Sequence, residues 1–173
     1  MLLIDSNYFY HCSKQIGSID ISKLVEYFNA SGYKDSIKYR VWVTVDNENP
    51  KIKAFQHWLK SFNGPRFEVA VKGHKIKHFA CEKCGATNNQ LMERNVDLEI
   101  ATRILEFSLD SDYNKDKTLV LVSGDGDFRD QVKIAKKKGK QIIIVGIMSN
   151  ISTDLQYLAD DIIELDKIKG LEK

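Results

Sequence analysis

Two aspartates follow a run of four apolar residues and lie in a turn that also holds two glycines. The apolar run is Leu119–Val122, and the turn is Ser123-Gly124-Asp125-Gly126-Asp127-Phe128. The run predicts a buried strand, and the glycines permit a tight turn after it. Two carboxylates this close repel unless a cation joins them, and a hard divalent ion takes oxygen ligands. The pattern favours a metal site, although a solvated Asp/Gly turn has the same composition.

Two further aspartates stand at corresponding places in the chain. Asp5 follows the apolar residues Met1–Ile4, and Asp97 lies in the first turn of a helix predicted over 95–109. The helical spacing puts Asp97 on the side of Ala101 and Ile104, where a buried charge is costly unless it is paired. A contact with the helix dipole is the simpler explanation for Asp97.

Alternating strands and helices predict how these acids are positioned. Strands are expected at residues 1–4, 39–45, 67–71, 119–122, 141–145 and 161–165, with helices between them. This order predicts an α/β fold: one domain over 1–173, with a three-layer, mostly parallel sheet flanked by helices. Right-handed crossovers bring strand ends and helix starts to one edge of the sheet. We therefore expect Asp5, Asp97, Asp125 and Asp127 to meet there.

Composition limits the function classes only broadly. The net charge of +2 among 173 residues is too small to indicate nucleic-acid binding by itself. No apolar run is long enough for a membrane span. The first residues lack the pattern of a secretory signal, so a cytoplasmic compartment is expected. The three cysteines do not suggest a disulfide scaffold.

Residues 72–93 interrupt the alternation with a polar, basic insertion before the helix of Asp97. The insertion contains His74, His78, Cys81 and Cys84 in the spacing H-x3-H-x2-C-x2-C. Cys81-x-x-Cys84-Gly85 resembles a zinc knuckle, and the two histidines would complete a structural Cys2His2 zinc site. The alternative is a mobile loop with reduced thiols. Its lysines, with Phe79, are candidates to contact phosphates and stack a base: Lys72, Lys75, Lys77 and Lys83.

Taken in order, these motifs resemble the NYN domains, a branch of the PIN-like ribonucleases. The first is Ile4-Asp5-Ser6-Asn7, the second Arg94-Asn95-Val96-Asp97 and the third Ser123–Phe128; Gly139-Lys140, Ser152–Leu155 and Ala159-Asp160 follow. The resemblance covers nearly the whole chain. Ser6 and Asn95 stand where the family often has glycine, and the insertion is not part of the common pattern.

The resemblance implies a metal-dependent endoribonuclease that uses Mg²⁺ or Mn²⁺. The family's acids map onto Asp5, Asp97, Asp125 and Asp127, and Asn7 would orient the site. Arg94 and Arg129 join the lysines as candidate RNA contacts, and PIN-like domains often pair, so a homodimer is a further expectation. Two alternatives stay open: an RNA-binding or adaptor module that does not cleave, and a phosphatase of the haloacid dehalogenase type with Asp5 as nucleophile. In the second, Asn7 stands where such enzymes usually carry another aspartate.

Overall fold

The computed structural model describes residues 1–31, 37, 39–45, 48–62, 67–93, 95–109 and 117–171, without the side chains of Lys75, Leu91 and Glu93. Its strands are β1 (Leu2–Asp5), β2 (Arg40–Val45), β3 (Phe67–Lys72), β4 (His74–Ala80), β5 (Thr87–Glu93), β6 (Thr118–Val122), β7 (Gln141–Gly146) and β8 (Asp161–Glu164). Its helices are α1 (Ser6–Ile16), α2 (Ile21–Ala30), α3 (Pro50–Ser61), α4 (Val96–Leu109), α5 (Arg129–Lys137) and α6 (Thr153–Leu158).

Six strands form one parallel sheet in the order β3-β2-β1-β6-β7-β8. The chain builds outward from β1 in one direction and from β6 in the other. The sheet therefore has its switch point between β1 and β6, and ligands of open α/β sheets bind in the crevice at the carboxyl ends of such strands. Asp5 ends β1, and the Ser123–Asp127 turn follows β6.

Helices cover both faces of the sheet, because its strands are apolar on both sides. Along β1, Leu2 and Ile4 join the core beneath α1 and α2, whereas Leu3 joins the core beneath α4 and α5. This alternation follows from the two-residue period of a strand. The predicted three-layer parallel architecture is confirmed, and helices α1 and α2 together connect β1 to β2.

The insertion is not the unstructured loop that its composition suggested. Strands β4 and β5 pair in antiparallel register from His74 opposite Glu93 to Ala80 opposite Thr87, and they form a separate two-stranded ribbon. One residue separates the start of the ribbon from the end of β3, and the ribbon ends shortly before α4. Both of its ends therefore lie at the edge of the sheet where Asp5 and Asp97 lie. No helix in the described part of the chain is long and apolar enough to cross a membrane.

Candidate functional site

Asp5 is the buried acid of the site, with only 7% of its surface exposed. It is the N-cap of α1: its Oδ1 accepts hydrogen bonds from the backbone N–H of Asn7 at 2.9 Å and of Tyr8 at 3.2 Å. Ser123 Oγ donates to its Oδ2 at 3.3 Å. Burial raises the pKa of Asp5 to about 6, the nearby charge of Asp97 adds to the rise, and the three hydrogen bonds offset part of it. A carboxylate is thus fixed at the switch point.

Asp125 lies three residues beyond Val122, the last residue of β6 that pairs with β1. Its side chain caps a short 3-10 turn, since Oδ1 accepts the N–H of Asp127 at 2.9 Å. Its own N–H donates to Ser123 Oγ at 3.3 Å. Ser123 is fully buried, so one hydroxyl links Asp5 to the Asp125 turn. Ser123 was not among the predicted site residues, although it begins the Ser-Gly-Asp motif.

Gly124 allows this turn to pack closely against its neighbours. A Cβ at Gly124 would lie 2.0 Å from the carbonyl oxygen of Asn150 and 2.8 Å from the ring of Tyr8. The N–H of Ser152 donates to the Gly124 carbonyl at 2.9 Å. Only a residue without a side chain fits between these groups, and the contacts fix the direction in which Asp125 and Asp127 leave the sheet.

Asp97 reaches the site from the start of α4. The residue is exposed, not buried against the core as the helical spacing suggested, and its pKa is raised. Partial desolvation is the largest cause, followed by the negative charges of Asp125 and Asp127. Asn95, just before the helix, has a φ of 62°. This left-handed conformation favours glycine or asparagine, which explains why asparagine can replace the glycine common at this motif position.

The four predicted acids therefore affect one another electrostatically across three separate elements. Asp97 raises the pKa of Asp5, and Asp125 and Asp127 raise the pKa of Asp97. Within the described residues, however, no three His, Cys, Asp or Glu side chains already converge on a point where they could share an ion. The donor set fits a hard cation in its chemistry, because all four groups are carboxylates that repel one another and two hold protons more tightly than usual.

Asn7 is exposed at the start of α1 and borders a cleft of about 990 Å³. Aromatic side chains of α3 line the other side of the cleft, where the rings of Phe55 and Trp58 stack with centroids 5.8 Å apart. Trp42 is buried and packs edge-on against Phe9 and Phe55. The cleft gives Asn7 access to a ligand much larger than a metal ion.

The basic residues of the insertion separate into two groups. Lys72 forms an ion pair of 2.5 Å with Glu99, which also accepts a hydrogen bond from Arg103. Burial alone would raise the pKa of Glu99, but these bonds outweigh it and lower the pKa. Lys77 and Lys83 are exposed, and the Lys77 ammonium lies 5.0 Å from the centre of the Phe79 ring. Lys72 thus has a structural partner, whereas Lys77 and Lys83 lie on the open ribbon.

The other predicted RNA contacts and the basic end of α5 lie outside the ribbon or outside the described residues. Arg129 is near Asp154, with 3.7 Å between Nε and Oδ1, while Arg94 and the side chain of Lys75 lie outside the described residues. The lysine-rich end of α5 is at the opposite edge of the sheet from the acids, because α5 starts at the acidic edge. There Lys136 pairs with Asp160 at 2.8 Å. The helix end therefore does not extend the ribbon's basic surface toward the acids.

The predicted Cys2His2 set is not brought together within one chain. His74 begins β4 opposite Glu93, seven residues before Cys81, which follows the far end of that strand. His78 faces Asn89 across the ribbon, with 2.7 Å between Nδ1 and Oδ1. Only Cys81 and Cys84 share the tip, and both are exposed free thiols. The structure does not bring the four predicted zinc ligands together, because paired extended strands place His74 and the cysteines at opposite ends of the ribbon.

Comparison with known proteins adds to this geometry. The sequence profile of the NYN domain matches residues 1–166. The chain belongs to the NYN domain family. Family membership places it among nuclease-type, RNA-related domains, which as a class typically use divalent metals.

Individual relatives are distant. The chain is 25% identical over 170 residues to the low amplitude and bright protein LabA of Synechococcus elongatus, covering 98% of this chain and 84% of that protein. It is 32% identical over 79 residues to the uncharacterized protein MJ0482 of Methanocaldococcus jannaschii, covering 46% of this chain and 32% of that one.

A solved structure has the same fold. It is a protein of unknown function, VPA0982, from Vibrio parahaemolyticus, with a TM-score of 0.64, 21% identity and coverage of 96% of this chain and 91% of that one.

Proposed function

We propose that this NYN domain is a metal-dependent endoribonuclease that hydrolyses RNA phosphodiester bonds at the carboxyl edge of its sheet. One observation carries the proposal: carboxylates from β1, α4 and the turn after β6 influence one another at the switch point of a parallel sheet. Mutual repulsion of this kind is costly in a fold unless a cation relieves it. Membership of the NYN family supports RNA as the substrate, and the clustered carboxylates support metal-dependent hydrolysis.

Asp5 and Asp125 are the proposed direct ligands of Mg²⁺ or Mn²⁺, with Asp97 and Asp127 binding directly or through water. A bound ion of this kind supplies a water of lowered pKa and neutralises charge that develops on the phosphate. The buried Asp5 is held in place by Asn7 N–H, Tyr8 N–H and Ser123 Oγ. The exposed Asp97, Asp125 and Asp127 can turn toward it when a cation arrives.

The chain's other groups bind and orient the substrate in this proposal. Asn7 lines the cleft and its backbone N–H donates to Asp5, so its side-chain amide can donate to a phosphate oxygen of a substrate bound there. Lys77 and Lys83 on the ribbon neutralise phosphates away from the cleavage point. No side chain has to act as a nucleophile. Asp5 would be a poor one, because both of its oxygens already accept hydrogen bonds.

The test is cleavage of a labelled, structured RNA in EDTA, Mg²⁺ or Mn²⁺ by the wild-type protein, Asp125→Asn and Asp130→Asn. Asp130 is a matched control, because it is an exposed acid in the first turn of the neighbouring α5. The proposal predicts metal-dependent cleavage by the wild type and Asp130→Asn and loss of cleavage in Asp125→Asn. Equal cleavage by all three proteins would contradict it.

The same experiment separates the alternatives. Tight RNA binding without cleavage in any metal would favour the adaptor module. Phosphate trapped on Asp5, with loss of phosphate release in Asp130→Asn, would favour the phosphatase, because in that scheme Asp130 would join Asp125 in binding Mg²⁺.

A further inference from the structure

The tip of the ribbon carries Cys81 and Cys84 in a tight turn that the backbone fixes. The N–H of Gly85 donates to the carbonyl of Cys81 at 2.8 Å, and the N–H of Cys81 donates to the carbonyl of Ala86 at the same distance. Gly85 has a φ of 69°, which a side chain would disfavour. The turn between β4 and β5 is thus ordered by its own hydrogen bonds.

The turn also directs backbone groups at a sulfur atom. The N–H groups of Cys84 and Lys83 point at the thiol of Cys81 and favour its thiolate form. Thiolates are the form in which cysteine binds metal, and Zn²⁺ in structural sites takes four tetrahedral ligands. Two neighbouring thiolates amount to half of such a ligand set.

The other two ligands do not come from the described part of the same chain. There, no further His, Cys, Asp or Glu completes a group of three with the two thiols. Glu82 lies between them in sequence without joining them, and His78 is engaged with Asn89. One tip therefore presents half of a tetrahedral site, facing solvent.

We propose that two copies of this chain share one Zn²⁺ through Cys81 and Cys84 of each tip. A twofold axis through the ion makes the contact self-complementary, as in most homodimers. Each strand of the ribbon has seven residues, so the tip stands about 20 Å beyond its base at about 3.3 Å per residue. Two tips can therefore meet at one ion while each sheet stays clear of the other.

Charge supports the shared site. One Zn²⁺ with four thiolates carries a net charge of −2, which would be unfavourable near acidic side chains. Each tip has the exposed Glu82 and Lys83 between its cysteines and Lys77 further along β4, so these side chains of two tips together add a net charge of +2.

The experiment uses the full chain, purified under reducing conditions and stripped of metal with a chelator. Zn²⁺ is added in steps, bound zinc is counted, and mass is followed by light scattering after size exclusion. We expect one zinc for two chains, a shift from monomer to dimer at that ratio, and reversal by EDTA. Cobalt in place of zinc should give the absorption of a tetrahedral four-thiolate site.

Cys84→Ser should bind no zinc and stay monomeric, and its far-ultraviolet circular dichroism should match the wild type because the residue is exposed at a tip. Cys12→Ser is the matched control, since Cys12 is buried under the sheet and far from the ribbon in sequence. It should dimerise with zinc like the wild type.

One zinc per chain, no zinc uptake by the reduced protein, or a mass that does not follow zinc would each overturn the proposal. The measurement needs no RNA and does not involve the acids at the sheet edge. Its failure is therefore separate from failure of the nuclease assignment.

Discussion

Replacing Asp5 by asparagine is predicted to stabilise the fold at neutral pH while it abolishes RNA cleavage. Asparagine keeps an oxygen that can accept from the N–H groups of Asn7 and Tyr8, and it is among the best helix N-caps. Its amide NH₂ can occupy the position of Oδ2 and donate to Ser123 Oγ. The substitution thus removes a buried charge with little change of shape.

The magnitude follows from the pKa of Asp5, which is about 6 in the fold and 3.8 without it. At about 1.4 kcal/mol per pKa unit, ionised Asp5 destabilises the metal-free fold by about 3 kcal/mol above pH 7. Because the folded protein binds this proton more tightly than the unfolded chain, the penalty develops as pH rises from about 4 to about 6. At about pH 5, roughly half of the penalty is present.

The assay is urea denaturation of the wild type and Asp5→Asn in EDTA at about pH 5 and about pH 7.5. The variant should be more stable at both values, by about twice as much at the higher one. A variant that is less stable than the wild type at about pH 7.5, or an advantage that does not grow with pH, would refute the burial argument.

Gly124→Ala should lose about 1–3 kcal/mol of stability and most RNA cleavage, because the added Cβ would clash with Asn150 and Tyr8. Gly73→Ala is the control and should change neither property, because the space around Gly73 is open. Urea unfolding and RNA cleavage of both variants check this. Lys72→Met should lower the free energy of unfolding by about 1 kcal/mol without changing RNA affinity, because Lys72 pairs with Glu99. Lys77→Ala and Lys83→Ala should each weaken RNA binding and reduce its salt dependence by about one ion. The reverse pattern in fluorescence titrations of RNA binding would contradict this division of the lysines. Saturating Mg²⁺ should raise the thermal midpoint of the wild type but not of Asp125→Asn, since only the complete acidic set binds the ion; equal shifts in both proteins would place the ion elsewhere.

The parallel sheet and the edge that carries the acids could be predicted from sequence because they depend on periodicity and on the handedness of crossovers. Asp5 and Asp125 each follow an apolar strand, and that position alone brings them to one edge. The resemblance then placed the motifs in order. Local signals and topology agree at these residues, which is the condition under which sequence reasoning works well.

The ribbon could not be predicted in the same way, because none of the ribbon side chains that the structure describes is buried. Ile76 is 60% exposed and Phe79 is 39% exposed, so β4 lacks the apolar and polar alternation that marks a half-buried strand. The separation of His74 from Cys81 follows from this strand pairing, and it could not be predicted from the sequence because the pairing itself was not predicted. Likewise, the bond from Ser123 to Asp5 joins residues 118 positions apart and depends on β1 lying beside β6.

The proposed activity depends on binding of a divalent ion by Asp5, Asp97 and Asp125 at the carboxyl edge of the sheet. The most direct test is a crystal structure of the protein soaked in Mn²⁺, with data collected for anomalous scattering from manganese. We expect an anomalous peak within bonding distance of oxygens from Asp5 and Asp125, with Asp97 or Asp127 beside it, and no peak there in Asp125→Asn. A peak elsewhere only, or well-ordered acids without a peak at saturating Mn²⁺, would contradict it.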